Sequence, residues 1–223
     1  MPAKGDRYAG TGAKGDGEGE DELTDEAAQS GGDEAMTPTI KAIETRYKGY
    51  RFRSRLEARW AVFFDALGLE WEYEKEGVVL PTDGPYLPDF WVQSWTCFVE
   101  VKPRIDEHDG LGLAVAIGGQ LTDMSGFPSI TLAGDVWPEK HRAILICPNR
   151  EAVDNYNSFA DCRKCNGVWL AESTNGDIGG CSSLGKCCST EKWPMLPHDR
   201  PDSAVGRAYR SARSARFEHG EKP

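Results

Sequence analysis

Apolar residues recur at helical spacing between residues 56 and 67, where Leu56, Trp60, Phe63, Phe64 and Leu67 form one stripe. Arg55 and Arg59 point away from that stripe, and Glu57 lies at its edge beside Ala61 and Phe64. Ser54 makes a good N-cap and Gly68 a C-terminal stop, so the pattern predicts a helix over LEARWAVFFDAL. Ahead of it, residues 50–53 alternate aromatic and basic side chains as a short strand does. Behind it, residues 69–75 (LEWEYEK), 86–92 (YLPDFWV) and 97–102 (CFVEVK) are rich in aromatic and β-branched residues and are separated by Gly, Pro and Asp, which predicts a three-stranded meander. A weaker helix is expected over residues 111–124, then strands over 129–136 and 142–147, the latter (RAILIC) continuous enough to sit mid-sheet. The order helix, three strands, helix, further strands predicts an α/β fold with helices packed on a sheet.

The length, 223 residues, suits one medium domain with attachments. Residues 1–38 hold ten acids, three bases and eight glycines, with little that is large and apolar, and are expected to be a disordered acidic tail. That tail carries −7 of the chain's net −10, so overall acidity does not exclude a nucleic-acid partner. Seven bases fall between Lys41 and Arg59, among them Arg51, Arg53 and Arg55, against only Glu44 and Glu57. Near the C-terminus Arg207, Arg210, Arg213 and Arg216 recur every three residues, leaving Val205, Ala208, Ala212 and Ala215 on other sides of a helix. The arginines of both stretches are candidate DNA contacts, and a solvated helix face is the plainer account of the second. The longest near-continuous apolar stretch, residues 111–119, is too short to span a bilayer, so no membrane partner is expected. No basic start leads into an apolar run, and seven cysteines cannot all pair within one chain, which favours the cytoplasm over secretion.

Register supplies the chemistry. A hairpin centred between Ser94 and Trp95 sets Asp89 opposite Glu100 and Trp91 opposite Phe98, with facing Cβ atoms about 4.5–5.5 Å apart. Lys102 falls on the same side as Glu100, whereas Phe90, Val92, Val99 and Val101 form the opposite, apolar side. Two facing carboxylates repel unless a cation lies between them, and one or two carboxylates with room for water and phosphate oxygens suit Mg²⁺. Such an ion polarises a phosphate and lowers the pKa of bound water, while a lysine beside it orients that water or neutralises developing charge. Trp91 and Phe98 either stack on a base or fill space beneath the second helix, and packing is the favoured role.

Pro88-Asp89 followed by Glu100-Val101-Lys102, preceded by a helix bearing Glu57, resembles the PD-(D/E)XK nuclease superfamily, in particular its phage and prophage members. The resemblance spans residues 47–148 and implies a restriction-endonuclease-like core. It further implies that Asp89 and Glu100 bind Mg²⁺ or Mn²⁺, that the Val101 carbonyl assists, that Lys102 helps the attack, and that Glu57 completes the site. Two features depart from the family pattern: Pro103 ends the strand directly after Lys102, and Gln120 is only a weak counterpart of a helix residue placed near the metal in some branches. Ser54 and Glu57 also spell a capping box, in which the glutamate would bond a backbone N–H instead of a metal, and the two readings stand side by side.

Cys162 and Cys165 form a Cys-x-x-Cys pair, followed by Cys181, Cys187 and Cys188. Two thiolates on one tight turn with a second pair from a later loop predict a structural zinc held by Cys162, Cys165, Cys181 and Cys187, with Cys188 or His198 as alternatives for the fourth ligand. A redox pair is the competing reading, but the surrounding Gly, Asn and Ser-rich text offers no strand leading into a helix. Cys97 and Cys147 lie in predicted strands and are expected to be buried. The expected organisation is therefore a tail over residues 1–38, a nuclease-like core over 39–150, a small zinc-ribbon-like appendage over 151–199 and a basic helix or tail over 200–223. The expected function is Mg²⁺-dependent hydrolysis of DNA by a phage or mobile-element endonuclease, with a two-strand cut requiring two sites brought together, as in a homodimer. Two rivals are a catalytically silent DNA-binding protein of the same fold with a structural zinc, using the basic stretch and the C-terminal arginines, and a docking module for phage replication or packaging proteins, for which the acidic tail is the only sequence hint.

Overall fold

The computed structural model describes residues 42–104, 110–148, 154–161, 167–171, 178–179 and 203–217. In chain order the elements are β1 (Thr45–Tyr47), β2 (Tyr50–Phe52), α1 (Arg55–Ala66), β3 (Trp71–Tyr73), β4 (Val78–Leu80), β5 (Gly84–Tyr86), β6 (Phe90–Val92) and β7 (Cys97–Lys102). Then follow α2 (Gly110–Ser125), β8 (Ser129–Gly134), β9 (His141–Ile146), β10 (Asp154–Tyr156), β11 (Ser158–Asp161), β12 (Val168–Ala171), β13 (Ile178–Gly179) and α3 (Ala204–Ser214). Six strands form one mixed sheet in the order β10-β9-β8-β7-β6-β3, with β7 and β8 parallel and the other neighbours antiparallel. The fold is mixed α/β. No helix among the described residues is long and apolar enough to cross a membrane.

The local signals act as their chemistry dictates. Ser54 caps α1 by accepting the Glu57 N–H at 3.2 Å, and Gly68, at φ 70°, closes the helix with its N–H on the Asp65 carbonyl. A hairpin that the alternation alone does not reveal joins β1 to β2 through Lys48 and Gly49, both at positive φ as a two-residue primed turn requires. The expected meander exists as β3, β6 and β7, but residues 86–92 are not one strand. Pro88 lacks an N–H for the ladder, so the stretch splits into β5, which pairs with β4 in a separate hairpin, and β6.

α1 lies against the apolar side of the sheet, with Phe64 edge-on to Phe90 at 5.4 Å and to Trp95 at 5.9 Å. α3 covers the other side of α1. Its Val205, Ala208, Tyr209 and Ala212 are buried in the same core as Phe63, while Arg207, Arg210 and Arg213 are exposed. The stretch expected as a basic helix or tail is a helix built into the domain, because its small residues share one side and let the two helices approach closely. Asp161 fixes the start of α3, accepting from Ser203 Oγ at 2.6 Å and the Ala204 N–H at 3.2 Å, and the Tyr209 hydroxyl accepts the Phe159 N–H at 3.0 Å. α2 covers the opposite side of the sheet. A Cβ at Gly118 would lie 2.7 Å from Ile146 Cδ1, so this glycine sets how closely the helix crosses the strands.

Gly134 ends β8 at φ 109°, and a Cβ there would sit 2.2 Å from the Lys140 carbonyl oxygen. Gly134→Ala is expected to cost at least about 1–3 kcal/mol, because both the backbone conformation and the clash with main chain oppose it. Urea unfolding of the variant measures this, and a loss below about 0.5 kcal/mol would contradict it. Residues 1–38 and all the candidate zinc ligands, Cys162, Cys165, Cys181, Cys187, Cys188 and His198, lie outside the described residues. Cys97 and Cys147 are buried, as expected.

Candidate active site

The register anticipated for β6 and β7 is the one observed: Phe90 pairs with Val99, Trp91 with Phe98 and Val92 with Cys97. Its continuation sets Asp89 against Glu100. β6 begins only at Phe90, so the Val101 N–H has no ladder partner on that side and is taken instead by Asp89 Oδ2 at 2.7 Å. The residue expected to lend its carbonyl therefore also uses its N–H to seat Asp89. The Asp89 carbonyl accepts from the N–H of Glu74, a non-glycine residue at φ 46°. Asp89 is 2% exposed, and its other oxygen, Oδ1, accepts from Arg53 Nη2 at 2.5 Å. Burial and the Glu100 charge push the Asp89 carboxyl up to about 7; Glu57 adds to the rise, while the Val101 N–H and Arg53 offset part of it.

Glu100 and Lys102 share the polar side of β7, as the alternation requires. Lys102 Nζ pairs with Glu100 Oε1. Glu100 Oε2 is buried and, like the Tyr86 hydroxyl that β5 brings to the site, makes no hydrogen bond of good geometry. Burial first, then the charge and the hydrogen-bonding pull of the Glu100 carboxylate, drive the Tyr86 pKa upward, so these two groups face each other. A cavity of about 140 Å³ opens here between β7, β8 and α2, with Glu100, Lys102, Tyr86 and Arg104 on its polar side and Leu113 and Ile117 on its apolar side.

Glu57 realises the capping alternative. Its Oε1 accepts from Ser54 Oγ at 2.7 Å, and its Oε2 accepts from the Tyr73 hydroxyl at 2.6 Å and the Arg53 N–H at 3.1 Å. Both oxygens are thus engaged at the start of α1. Gln120 is also occupied elsewhere: its Oε1 accepts the Thr82 N–H at 2.9 Å and its Nε2 bonds Asp83, tying the turn of the β4–β5 hairpin to α2. Among the described residues there is no group of three or more His, Cys, Asp or Glu side chains arranged to hold a metal ion. What the fold does assemble is a pair of carboxylates, Asp89 and Glu100, each beside one basic side chain. That arrangement suits a hard cation that completes its shell with water and phosphate oxygens.

The basic residues divide by surroundings. Arg51 pairs with Glu44, and Arg53 joins Asp89 to Glu74, its Nε lying 2.8 Å from Glu74 Oε1. Arg55 is half-buried at the start of α1. Arg207, Arg210 and Arg213 line an open groove of about 560 Å³ together with Trp137, Ser211 and Ser214. The Arg213 guanidinium lies 5.1 Å from the Trp137 ring centre and 3.5 Å from Asp135. Strand polarity places this groove relative to the carboxylates. Lys102 is registered with Ala133 on the parallel β8, and Gly134 with His141, so the turn holding Asp135 and Trp137 leaves the sheet at the same end as Asp89, Glu100 and Lys102. Trp91 lies tilted against Phe98 at 4.8 Å and edge-on to Phe127 at 5.2 Å, so the pair packs with the segment after α2.

Sequence reasoning missed Tyr86, Arg53 as a partner of Asp89, and Trp137. The break at Pro88 is the one signal that could have separated Tyr86 from β6. No protein-family model, curated protein or solved structure matches this chain.

Proposed function

We propose that the chain is a Mg²⁺- or Mn²⁺-dependent nuclease hydrolysing DNA phosphodiester bonds, with a restriction-endonuclease-like core and a phage or mobile-element role. The observation that carries this reading is the pairing of buried Asp89 with half-buried Glu100 at one sheet end, with Lys102 beside them. The order α1, meander, α2 and a strand parallel to β7 supports the fold assignment. Asp89 and Glu100 would hold the ion, with the Val101 carbonyl as a further oxygen, and Glu57 positions Asp89's surroundings from the helix start. When bound, the ion supplies Lewis acidity toward a phosphate oxygen and a more acidic water. Lys102, 43% exposed at the rim, donates to the attacking water or to the phosphate oxygen that gains charge. The Cys-rich segment is proposed to carry structural Zn²⁺ on Cys162, Cys165, Cys181 and Cys187, giving stoichiometric zinc that falls away in Cys165→Ser.

The test is incubation of the full chain with supercoiled plasmid and end-labelled duplex in Mg²⁺, Mn²⁺ or EDTA. Metal-dependent nicking or cutting is expected, with Lys102→Ala slower by about 10²-fold or more. Absence of cleavage with either ion would leave the second reading, a DNA-binding protein without the reaction. The ion pairs Arg53–Asp89 and Lys102–Glu100 favour that alternative, since they balance both carboxylates by protein charges alone.

Phosphate contact is expected along the groove of α3. Replacing Arg207, Arg210 and Arg213 together by Ala should reduce the log–log salt dependence of DNA affinity by about 2, slightly less than three full phosphate contacts because Arg213 is shared with Asp135. Fluorescence anisotropy between about 50 and 200 mM salt measures the slope. An unchanged slope would remove this helix from the interface.

A further inference from the structure

Arg53 is not placed as a free surface arginine. It follows the last residue of β2 and precedes the cap of α1, so its backbone is held by two elements, and its N–H is bound to Glu57 Oε2 and to the Tyr73 hydroxyl, each at 3.1 Å. From that fixed base the guanidinium reaches two acids in different states of burial. Nη2 meets Oδ1 of the almost wholly buried Asp89, and Nε meets Glu74 Oε1, while the arginine side chain as a whole remains 57% exposed. Asp89 Oδ2 is already committed to the Val101 N–H, so Oδ1 is the oxygen through which Asp89 would meet a cation. That oxygen is the one the guanidinium occupies. A dication and the arginine fork therefore compete for one lone-pair region beside a second carboxylate, Glu100.

We propose that Arg53 is a built-in counter-cation that a divalent ion must displace from Asp89, and that, still tethered through Glu74, it then turns its freed N–H groups to a phosphate of the bound DNA. The inference rests on the reading of Asp89 and Glu100 as the cation site. It assigns Glu74 a purpose: an ammonium or guanidinium released without a second anchor would leave the site, whereas the Nε–Oε1 contact keeps the fork at the rim. A planar fork matches two phosphate oxygens at once, which a lysine in the same place would not. Competition also has a direct consequence for affinity. If Asp89 is free of Arg53 only a tenth of the time or less, the apparent dissociation constant for the metal is raised at least about tenfold.

The experiment is titration of the metal-free full chain with Mn²⁺, without DNA, followed by electron paramagnetic resonance of free Mn²⁺ and by calorimetry. Arg53→Gln is compared with the wild type, Arg53→Lys and Asp89→Asn. The expected result is that Arg53→Gln binds Mn²⁺ at least about tenfold more tightly and gains more thermal stability from Mn²⁺ than the wild type does. Arg53→Lys should stay near wild type, since it keeps the charge. At saturating Mn²⁺, Arg53→Gln should nonetheless cleave DNA more slowly, having lost the fork. If Asp89→Asn abolishes Mn²⁺ binding while Arg53→Gln leaves the affinity unchanged or weaker, the counter-cation role is overturned and the metal site stands. If Asp89→Asn binds Mn²⁺ as well as the wild type, the site reading itself fails, and this inference with it. Should Arg53→Gln not fold in the absence of metal, Arg53→Met is titrated instead, and its affinity decides by the same criterion.

Discussion

Asp89→Asn is expected to lower metal-dependent DNA cleavage by at least about 10³-fold while making the metal-free protein more stable at neutral and mildly alkaline pH. The two effects have one origin. The carboxyl is buried beside Glu100 and titrates near 7 instead of in the ordinary aspartate range. Between about pH 4 and 7 the folded protein therefore holds a proton that the unfolded chain has lost, and stability falls as pH rises through that interval. One such group contributes a slope of at most about 1.4 kcal/mol per pH unit, with the loss complete above its folded pKa. The asparagine does not ionise, so its stability curve should lack this component, and Arg53 retains Glu74 as a partner in the variant. Unfolding by urea in EDTA from about pH 5 to 8 compares the two proteins, and excess Mg²⁺ should flatten the wild-type curve by stabilising the ionised pair. Parallel curves for wild type and variant in EDTA would mean that Asp89 is not the group at issue.

Phe63→Ala is expected to destabilise the domain by about 3–5 kcal/mol, lowering the melting temperature by about 6–20 °C. Phe63 is fully buried at the meeting of three elements, with its ring 4.8 Å from Tyr209 of α3, 5.2 Å from Phe159 of β11 and 5.3 Å from Trp60. No single neighbour can move into the space without abandoning another aromatic contact, so the cavity term should be retained in full. Differential scanning calorimetry measures the change. A decrease below about 1 kcal/mol would show that α3 and β11 are not packed against α1 as described.

What the sequence made legible depended on the length of each periodic signal. α1 carries twelve residues with a cap at one end and a glycine at the other, and β7 alternates over six, so both could be placed, and with them the shared side of Glu100 and Lys102. The hairpin register followed from the spacing of the two strands alone. β4 and β5 are three residues each, too short to establish a period, and Pro88 alone marks where β5 ends and β6 begins. α3 was visible as a helix, but its repeating arginines drew attention to the exposed side and away from Val205, Ala208 and Tyr209, whose small and aromatic side chains do the packing. The partnership of Arg53 with Asp89 was hidden for another reason. Contacts across thirty-six positions are set by how the helix start meets the sheet, which no local pattern encodes. Glu57 was ambiguous because one residue type serves both as helix cap and as metal ligand, and only its partners, Ser54, Tyr73 and the Arg53 N–H, decide between them.

α3 lies last among the described elements, yet it completes the core begun by α1. During synthesis on the ribosome, α1 and most of the sheet emerge long before the helix that shields Phe63 and Phe159, and domains fold as units once their parts are present. A nascent chain therefore carries both acidic residues of the candidate site before it owns a sealed interior.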